Sequence, residues 1–306
     1  MNLKNLLIVS RANIQVASLP TAVLGIALAA RHWSDLYRLD VFLFIVLFFL
    51  ILTFSCHVNC LHDQDVDAKY KEYMSHAVRQ IGIARLKKWI RCEAIFSIAI
   101  IVALAVMKQQ TIYLSAVGAL LCGYAYSARP FRVKKRGILS PLPVLLGLYF
   151  LPPVAGWYLI RGKVSGFIFI FAFGYSILME GITFINTCED FAEDQNSDIR
   201  TLAHVAGIRT TLKIGTAAII TGSILDILSL ACCKYNELSR TPLIIILTML
   251  LGLFFISQTF RIAGKFVLIS QSIDPEYLSK QYAQAMPFWF FKTRYPLLAI
   301  TLLAIG

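Results

Sequence analysis

Apolar residues in this chain fall in long, nearly unbroken runs, and short charged or turn-rich segments separate them. Such runs describe helices with apolar surroundings on every side, not half-polar elements around a soluble core. Reading each run out to its bounding charges or turn residues predicts about nine helices, at 12–30, 40–62, 86–107, 111–127, 139–160, 164–189, 210–233, 241–269 and 286–305. The first run contains Ala27, Leu28 and Ala29, which resemble a signal-peptide cleavage site. Arg11 sits deep in that segment, however, and many further spans follow, so it is read as a retained helix. No linker or low-complexity stretch divides the chain. The expectation is a single membrane-embedded, all-α domain over residues 1–306.

Composition agrees with the pattern. Hydrophobic residues make up 58% of the chain and charged residues 15%, and the mean hydropathy is +0.69. A soluble domain carries fewer apolar and more charged residues. The net charge of +12 changes the picture only through its placement. With the N-terminus on one side, that side's loops hold about 21 of the 29 Lys and Arg residues and the other side about 7, an asymmetry that predicts a cytoplasmic N-terminus and removes any need for a nucleic-acid partner. The seven cysteines, Cys56, Cys60, Cys92, Cys122, Cys188, Cys232 and Cys233, are scattered through apolar runs without paired metal spacing. They read as buried free thiols.

Candidate chemistry begins at "NCLHDQDVDAKY", residues 59–70, where the second apolar run ends in three aspartates. Asn59, Asp63 and Asp67 are spaced by four, so on a helix they share one face. An EF-hand would also place acids at 63, 65 and 67, but Ala68 stands where Gly is required and Met74 where Glu is expected. The spacing recurs in "GITFINTCEDFAEDQNSDIRTLAHVAGI", where Asn186, Asp190 and Asp194 end the sixth run and Asp198 extends the series. "SHAVRQIGI" and "LAHVAGI" then place Gly82 and Gly207 at nearly equal distances from the two asparagines. These echoes predict a four-helix unit used twice, about 1–137 and 138–270, followed by a ninth helix at about 286–305. An even number of spans between the two ladders puts both at one membrane face.

Two acidic ladders facing each other repel unless cations lie between them. Carboxylate and amide oxygens suit Mg²⁺, which keeps waters and bridges protein carboxylates to phosphates. A diphosphate is the natural third party. Between the ladders, "YAYSARPFRVKKRG" carries Arg129, Arg132, Lys134, Lys135 and Arg136 beside Tyr124 and Tyr126, although topology alone also places basic residues in such a loop.

Together the two Asn-x3-Asp-x3-Asp ladders and "YSARPFRVKKRG" resemble the UbiA superfamily of intramembrane prenyltransferases, over nearly the whole chain. The resemblance implies two four-helix repeats plus a ninth helix, and a Mg²⁺-dependent enzyme that ionises an isoprenyl diphosphate and transfers the prenyl group to a small lipid or aromatic acceptor. By motif position it implies Asp63, Asp67, Asp190 and Asp194 as metal ligands, with Asn59 and Asn186 beside the diphosphate. Arg132 and Lys134 or Lys135 would clamp that diphosphate. Asp190 and Asp194 would act in catalysis with Tyr126, which would face the ionising carbon. The prenyl tail is expected among "FIFIFAFGY" and "LGLYFLPPVAGWY". The partners implied are the isoprenyl diphosphate, the acceptor and the bilayer, without an obligate protein partner.

Departures from the family pattern bear mainly on the acceptor. Cys60 follows Asn59 where Asp is frequent, Asn186 opens the second motif where many members have Asp, and Asp198 stands where Gly is common. The loop "AKYKEYMSHAVRQIG" lacks the Asn-Arg-Pro run of many quinone-pathway members, so no quinone precursor is implied. Glu180, inside the sixth run, is a candidate acceptor contact or base, because an intramembrane carboxylate is functional by default. Asp226 and His57 read first as structural. Three other functions fit the same residues: a terpene cyclase on this scaffold, phosphoribose transfer to a polyprenyl phosphate, and, from another class, a cation transporter.

Overall fold

The computed structural model describes residues 3–107, 110–197, 199–234 and 241–305, and among them every regular element is helical. A short α1 (Leu3–Val9) precedes α2 (Ala12–Ala29) and α3 (Leu39–His62). Two short helices follow, α4 (Gln64–Tyr70) and α5 (Glu72–Ile81), then the long α6 (Ile83–Val106) and α7 (Gln110–Ser127). The next run is built in pieces: α8 (Leu142–Val144), a wide π turn over Leu145–Phe150, and α9 (Leu151–Arg161). Pro152 and Pro153 lack the N–H groups that would bond back one turn, which matches the slip from α to π spacing just before them. The remaining elements are α10 (Gly166–Glu189), α11 (Phe191–Gln195), α12 (Leu202–Ala206), α13 (Ile208–Lys234), α14 (Pro242–Gln271), α15 (Pro275–Ala283) and α16 (Met286–Leu303).

Each of the nine apolar runs forms a helix or a string of helices, and among the described residues seven helices are long and apolar enough to cross a membrane by length and composition. The two that fall short do so for visible reasons. The apolar stretch of α7 is shorter, Ile112–Ser127, and α16 includes Lys292 and Arg294. Arg294 does not face lipid: it is 1% exposed and donates to the Ala17 carbonyl at 2.8 Å and to Ser18 Oγ at 3.0 Å, both on α2. A charge that disqualifies a helix by hydropathy is thus satisfied inside the protein.

Burial sorts the helices into layers. In α10, 72% of the best apolar window is inside the protein, against 17% in α6 and in α14. Large apolar side chains such as Ile95 and Phe96 on α6 and Leu250 and Leu253 on α14 stand more than half exposed. In water such surfaces would aggregate, whereas against hydrocarbon they are at rest. The chain is therefore a multi-pass membrane protein with α10 at its centre.

Where apolar burial gives no net drive between helices, close backbone approach decides packing. Along α10 and α13 two glycine pairs lie back to back, seven residues apart on each helix. A Cβ on Gly222 would lie 2.5 Å from the Gly174 carbonyl oxygen, and one on Gly181 3.0 Å from that of Gly215. The backbone has no room to yield. Gly222→Ala is expected to lower stability by about 1–3 kcal/mol through overpacking. Gly252→Ala, with nothing within 4 Å of the added Cβ, is expected to be neutral or slightly stabilising, by up to about 1 kcal/mol. Thermal unfolding of the two variants in one detergent compares them.

Candidate active site

The acidic ladder stays on one face because the helix hardly breaks within it. Asp63 (φ −105°, ψ 10°) separates α3 from α4, yet its N–H still bonds to the Asn59 carbonyl at 3.0 Å and its carbonyl accepts from Asp67 N–H at 2.8 Å. Asp190 (φ −83°, ψ 7°) joins α10 to α11 in the same way, with bonds of 3.0 Å to Asn186 and 2.8 Å from Asp194. The matching continues downstream, where Gly82 (φ 88°) and Gly207 (φ 82°) start α6 and α13 from a backbone that L side chains rarely adopt.

Both ladders open onto one cavity of about 370 Å³, whose walls include Asn59, Asp63 and Asp67 from the first and Asn186, Asp190 and Asp194 from the second. Tyr126 and Lys134 line it as well. Asp63 is the most heavily bound of the acids. It accepts from Asn59 Nδ2 at 2.7 Å and Arg132 at 3.3 Å, and it forms a close ion pair with Lys134. Across the cavity, Lys71 Nζ lies 3.0 and 3.2 Å from the two Asp190 oxygens. Lys135 turns elsewhere, donating to the Ser197 carbonyl at 3.2 Å, and does not line the cavity.

The remaining acids carry the strain of this crowding. Burial and the neighbouring Asp63 push the Asp67 carboxyl up to about 6, and burial with the Asp190 charge pushes Asp194 up to about 7. Burial lowers Lys134 even beside Asp63, whereas for Lys71 the opposing attraction of Asp190 prevails and raises it. Among the described residues no three His, Cys, Asp or Glu side chains are drawn together tightly enough to enclose a metal ion. Lysines occupy the space between acids instead. The donor set still fits a hard divalent cation: it consists of carboxylate and amide oxygens, and two of its acids hold their protons to higher pH than free carboxyls do.

Several residues at this mouth escaped sequence reading. Lys71 continues the first ladder by one further step of four and so was detectable by spacing. Arg11 was not. It lines the cavity and donates to Asn59 Oδ1 at 2.8 Å from a left-handed backbone (φ 49°) at the start of α2. Its neighbour Ser10 is held by His57 Nε2 at 3.1 Å, and His57 Nδ1 lies 2.8 Å from Glu93. His57 is thus structural, bracing the turn that presents Arg11. Glu189 and Glu193 also line the cavity.

Other expected residues lie elsewhere. Glu180 is buried in α10 and does not reach the cavity wall. Asp226 is fully buried on α13 beside Gly174, also away from the cavity, and Asp198 lies outside the described residues. The apolar part of the cavity is walled by α3 and α7, with Gly147, Leu148 and Tyr149 from the π turn and Leu151, Pro152 and Ala155 from α9. "FIFIFAFGY" contributes nothing to it. Within that stretch Phe171 and Tyr175 stack at 6.2 Å in the core, both 0% exposed, whereas Phe169 and Phe173 stand about half exposed.

No curated protein is similar enough to match the chain. Three similar solved structures are of a UbiA homolog from Archaeoglobus fulgidus. One has a TM-score of 0.62 at 17% identity and covers 96% of this chain and 99% of that one. A second, bound to GPP and Mg²⁺, has a TM-score of 0.57 at 18% identity, covering 96% and 99%. A third, bound to DMAPP and Mg²⁺, has a TM-score of 0.57 at 15% identity, covering 96% and 98%. At these identities the likeness speaks for the fold. The model of the UbiA prenyltransferase family matches residues 18–266, and by that match, over most of its length, the chain belongs to the UbiA prenyltransferase family.

Proposed function

We propose that this protein is a Mg²⁺-dependent intramembrane prenyltransferase that ionises an isoprenyl diphosphate and passes the prenyl group to a small acceptor. The observation that carries the reading is the single cavity, with four aspartates, two lysines and an arginine at one end and apolar walls at the other. A diphosphate with an isoprenoid tail has the same division. Membership of the family supports the reading, as do the GPP and DMAPP with Mg²⁺ bound by its archaeal homolog. The excess of Lys and Arg on the N-terminal side supports a cytoplasmic N-terminus and a charged mouth on that side.

Asp63, Asp67, Asp190 and Asp194 would hold the metal, with Asn59 and Asn186 beside them. Bound there, Mg²⁺ supplies positive charge that stabilises the departing diphosphate. Lys134 and Arg132, already gathered at Asp63, and Lys71, at Asp190, add cationic donors whose placement precedes the reaction. Apolar walls exclude water from the allylic cation, and Tyr126 offers it an electron-rich ring.

Asp63→Ala or Asp190→Ala is expected to reduce turnover by about 10²-fold or more, as for loss of a preorganised electrostatic contact. Asp65 is exposed on the opposite side of α4, and Asp65→Ala should keep near wild-type turnover. Labelled prenyl diphosphate, with and without Mg²⁺, is the assay, and undiminished product from folded Asp63→Ala would sink the two-ladder site.

The basic segment gives a second comparison. Lys134→Met should raise KM for the diphosphate and lower kcat/KM about 10²-fold, whereas Lys135→Met should stay within about threefold. Equal effects of the two changes would assign both lysines to topology.

Protonation supplies the third. Asp67 and Asp194 have folded-state values above those of free carboxyls, so the metal-free folded protein holds protons that the unfolded chain releases. Its stability therefore falls as pH rises from about 4 through about 7. Mg²⁺ must displace those protons, so it should bind more tightly, and raise the apparent Tm more, at pH 8 than at pH 5.5. A Mg²⁺-induced shift independent of pH would exclude these two acids from the metal site.

A further inference from the structure

The apolar arm of the cavity has a measurable length. Its lining follows α3 from Asp63 and Asn59 through Ser55, Ile51 and Phe48 to Phe44, one face of an unbroken helix. At about 1.5 Å per residue, Phe44 lies about 22 Å below Asn59. An isoprene unit adds four chain bonds of about 1.5 Å, or about 5 Å when extended. Four units fill the arm.

α7 forms the facing wall in the same direction and register. Asn59 Nδ2 donates to Ser127 Oγ at 2.9 Å, and a Cβ on Gly123 would lie 3.0 Å from Ser55 Cβ, so both pairs share an offset of 68 residues. That offset sets Ala119 opposite Ile51, about 12 Å below Asn59, and Ala116 opposite Phe48, about 16 Å below it. Both alanines line the cavity. At the far end Phe44 and Leu47, both lining the cavity, belong with Ile112 to one buried cluster.

We infer that this cavity is built for a tail of four isoprene units, a C20 diphosphate, with Phe44 as its floor and Ala119 and Ala116 as the small residues that admit the third and fourth units. The inference rests on the proposed prenyl-diphosphate site. Selection by length follows from fit and not from hydrophobicity, because a prenyl tail is as well solvated by the bilayer as by the cavity. A shorter tail leaves part of the arm empty, and a longer one meets Phe44.

The test measures dissociation constants of non-reactive thiolodiphosphate analogues with C10, C15, C20 and C25 tails, in the presence of Mg²⁺, for the full chain in nanodiscs. For the unaltered protein the C20 analogue should bind best and the C25 analogue at least about tenfold more weakly. Ala119→Phe should retain C10 binding within about twofold and lose at least about tenfold for C15 and C20, whereas Ala116→Phe should retain C10 and C15 and lose C20. The length series on the unaltered protein decides the matter even where a substitution impairs folding. A flat profile from C10 to C25, or an equal loss at all lengths in Ala119→Phe, would overturn the inference and leave the prenyltransferase reading standing. If no analogue of any length bound while the protein stayed folded, the prenyl-diphosphate reading would fail, and this inference with it.

Discussion

Four aspartates placed at the mouth of one cavity, at the edge of an apolar slab, form the constraint around which this protein is arranged. Such charges repel one another, and burial denies them the water that would screen them. The protein meets that cost locally. Lys134 and Arg132 are brought to Asp63 from the segment after α7, and Lys71 is brought to Asp190 from the end of the first ladder. Each pair links parts of the chain distant in sequence. Asp67 and Asp194 are left under-compensated, which is why their protons are held unusually tightly. On the proposed reading, a mouth with lysines between its acids and two acids still short of positive charge suits a ligand that brings cations and anions together.

Much of this was readable from spacing. A period of four fixes which side chains share a helix face, and because Asp63 and Asp190 keep the turn bonded on both sides, that period survived the ends of α3 and α10. Apolar runs likewise located the long helices. Periodicity does not say what each face meets. An all-apolar helix gives no sign of which side lines a cavity: within "FIFIFAFGY" Phe171 and Tyr175 fill the core and Phe169 and Phe173 stand about half exposed, while α3 and α7 wall the cavity. Counting spans by hydropathy had the opposite weakness, since α16 carries a buried arginine satisfied by another helix, a relation no local window contains.

Arg11 illustrates what only tertiary structure supplies. Its backbone is left-handed, a conformation costly for a side chain of this kind. The turn is held by Ser10 on His57, and His57 by Glu93, while Trp89 lies 5.7 Å from the imidazole. Those residues come from α3, α6 and the α1–α2 turn, and none touches the cavity. Their common product is a guanidinium fixed 2.8 Å from Asn59, which in turn holds Asp63. The first ladder is therefore oriented from behind by a chain of polar contacts with no motif of its own.

The aromatic residues of the cavity divide by what stands behind them. Arg294 lies 4.0 Å from the centre of the Phe290 ring and 5.2 Å from that of Tyr149, and both rings line the cavity. A ring whose one face already attracts a cation offers less to a second on its other face, because the two charges repel through a medium of low dielectric. On the proposed reading, an allylic cation is therefore poorly placed against Tyr149 and Phe290, and that wall suits the uncharged tail or an electron-rich acceptor. Tyr126 belongs to the other environment, on α7 one residue before Ser127, which the Asn59 amide binds. Developing positive charge beside it is drawn toward the aspartates and not toward a buried arginine. The same cavity can then stabilise a cation at one end and refuse it at the other, which keeps the reactive carbon near the leaving diphosphate.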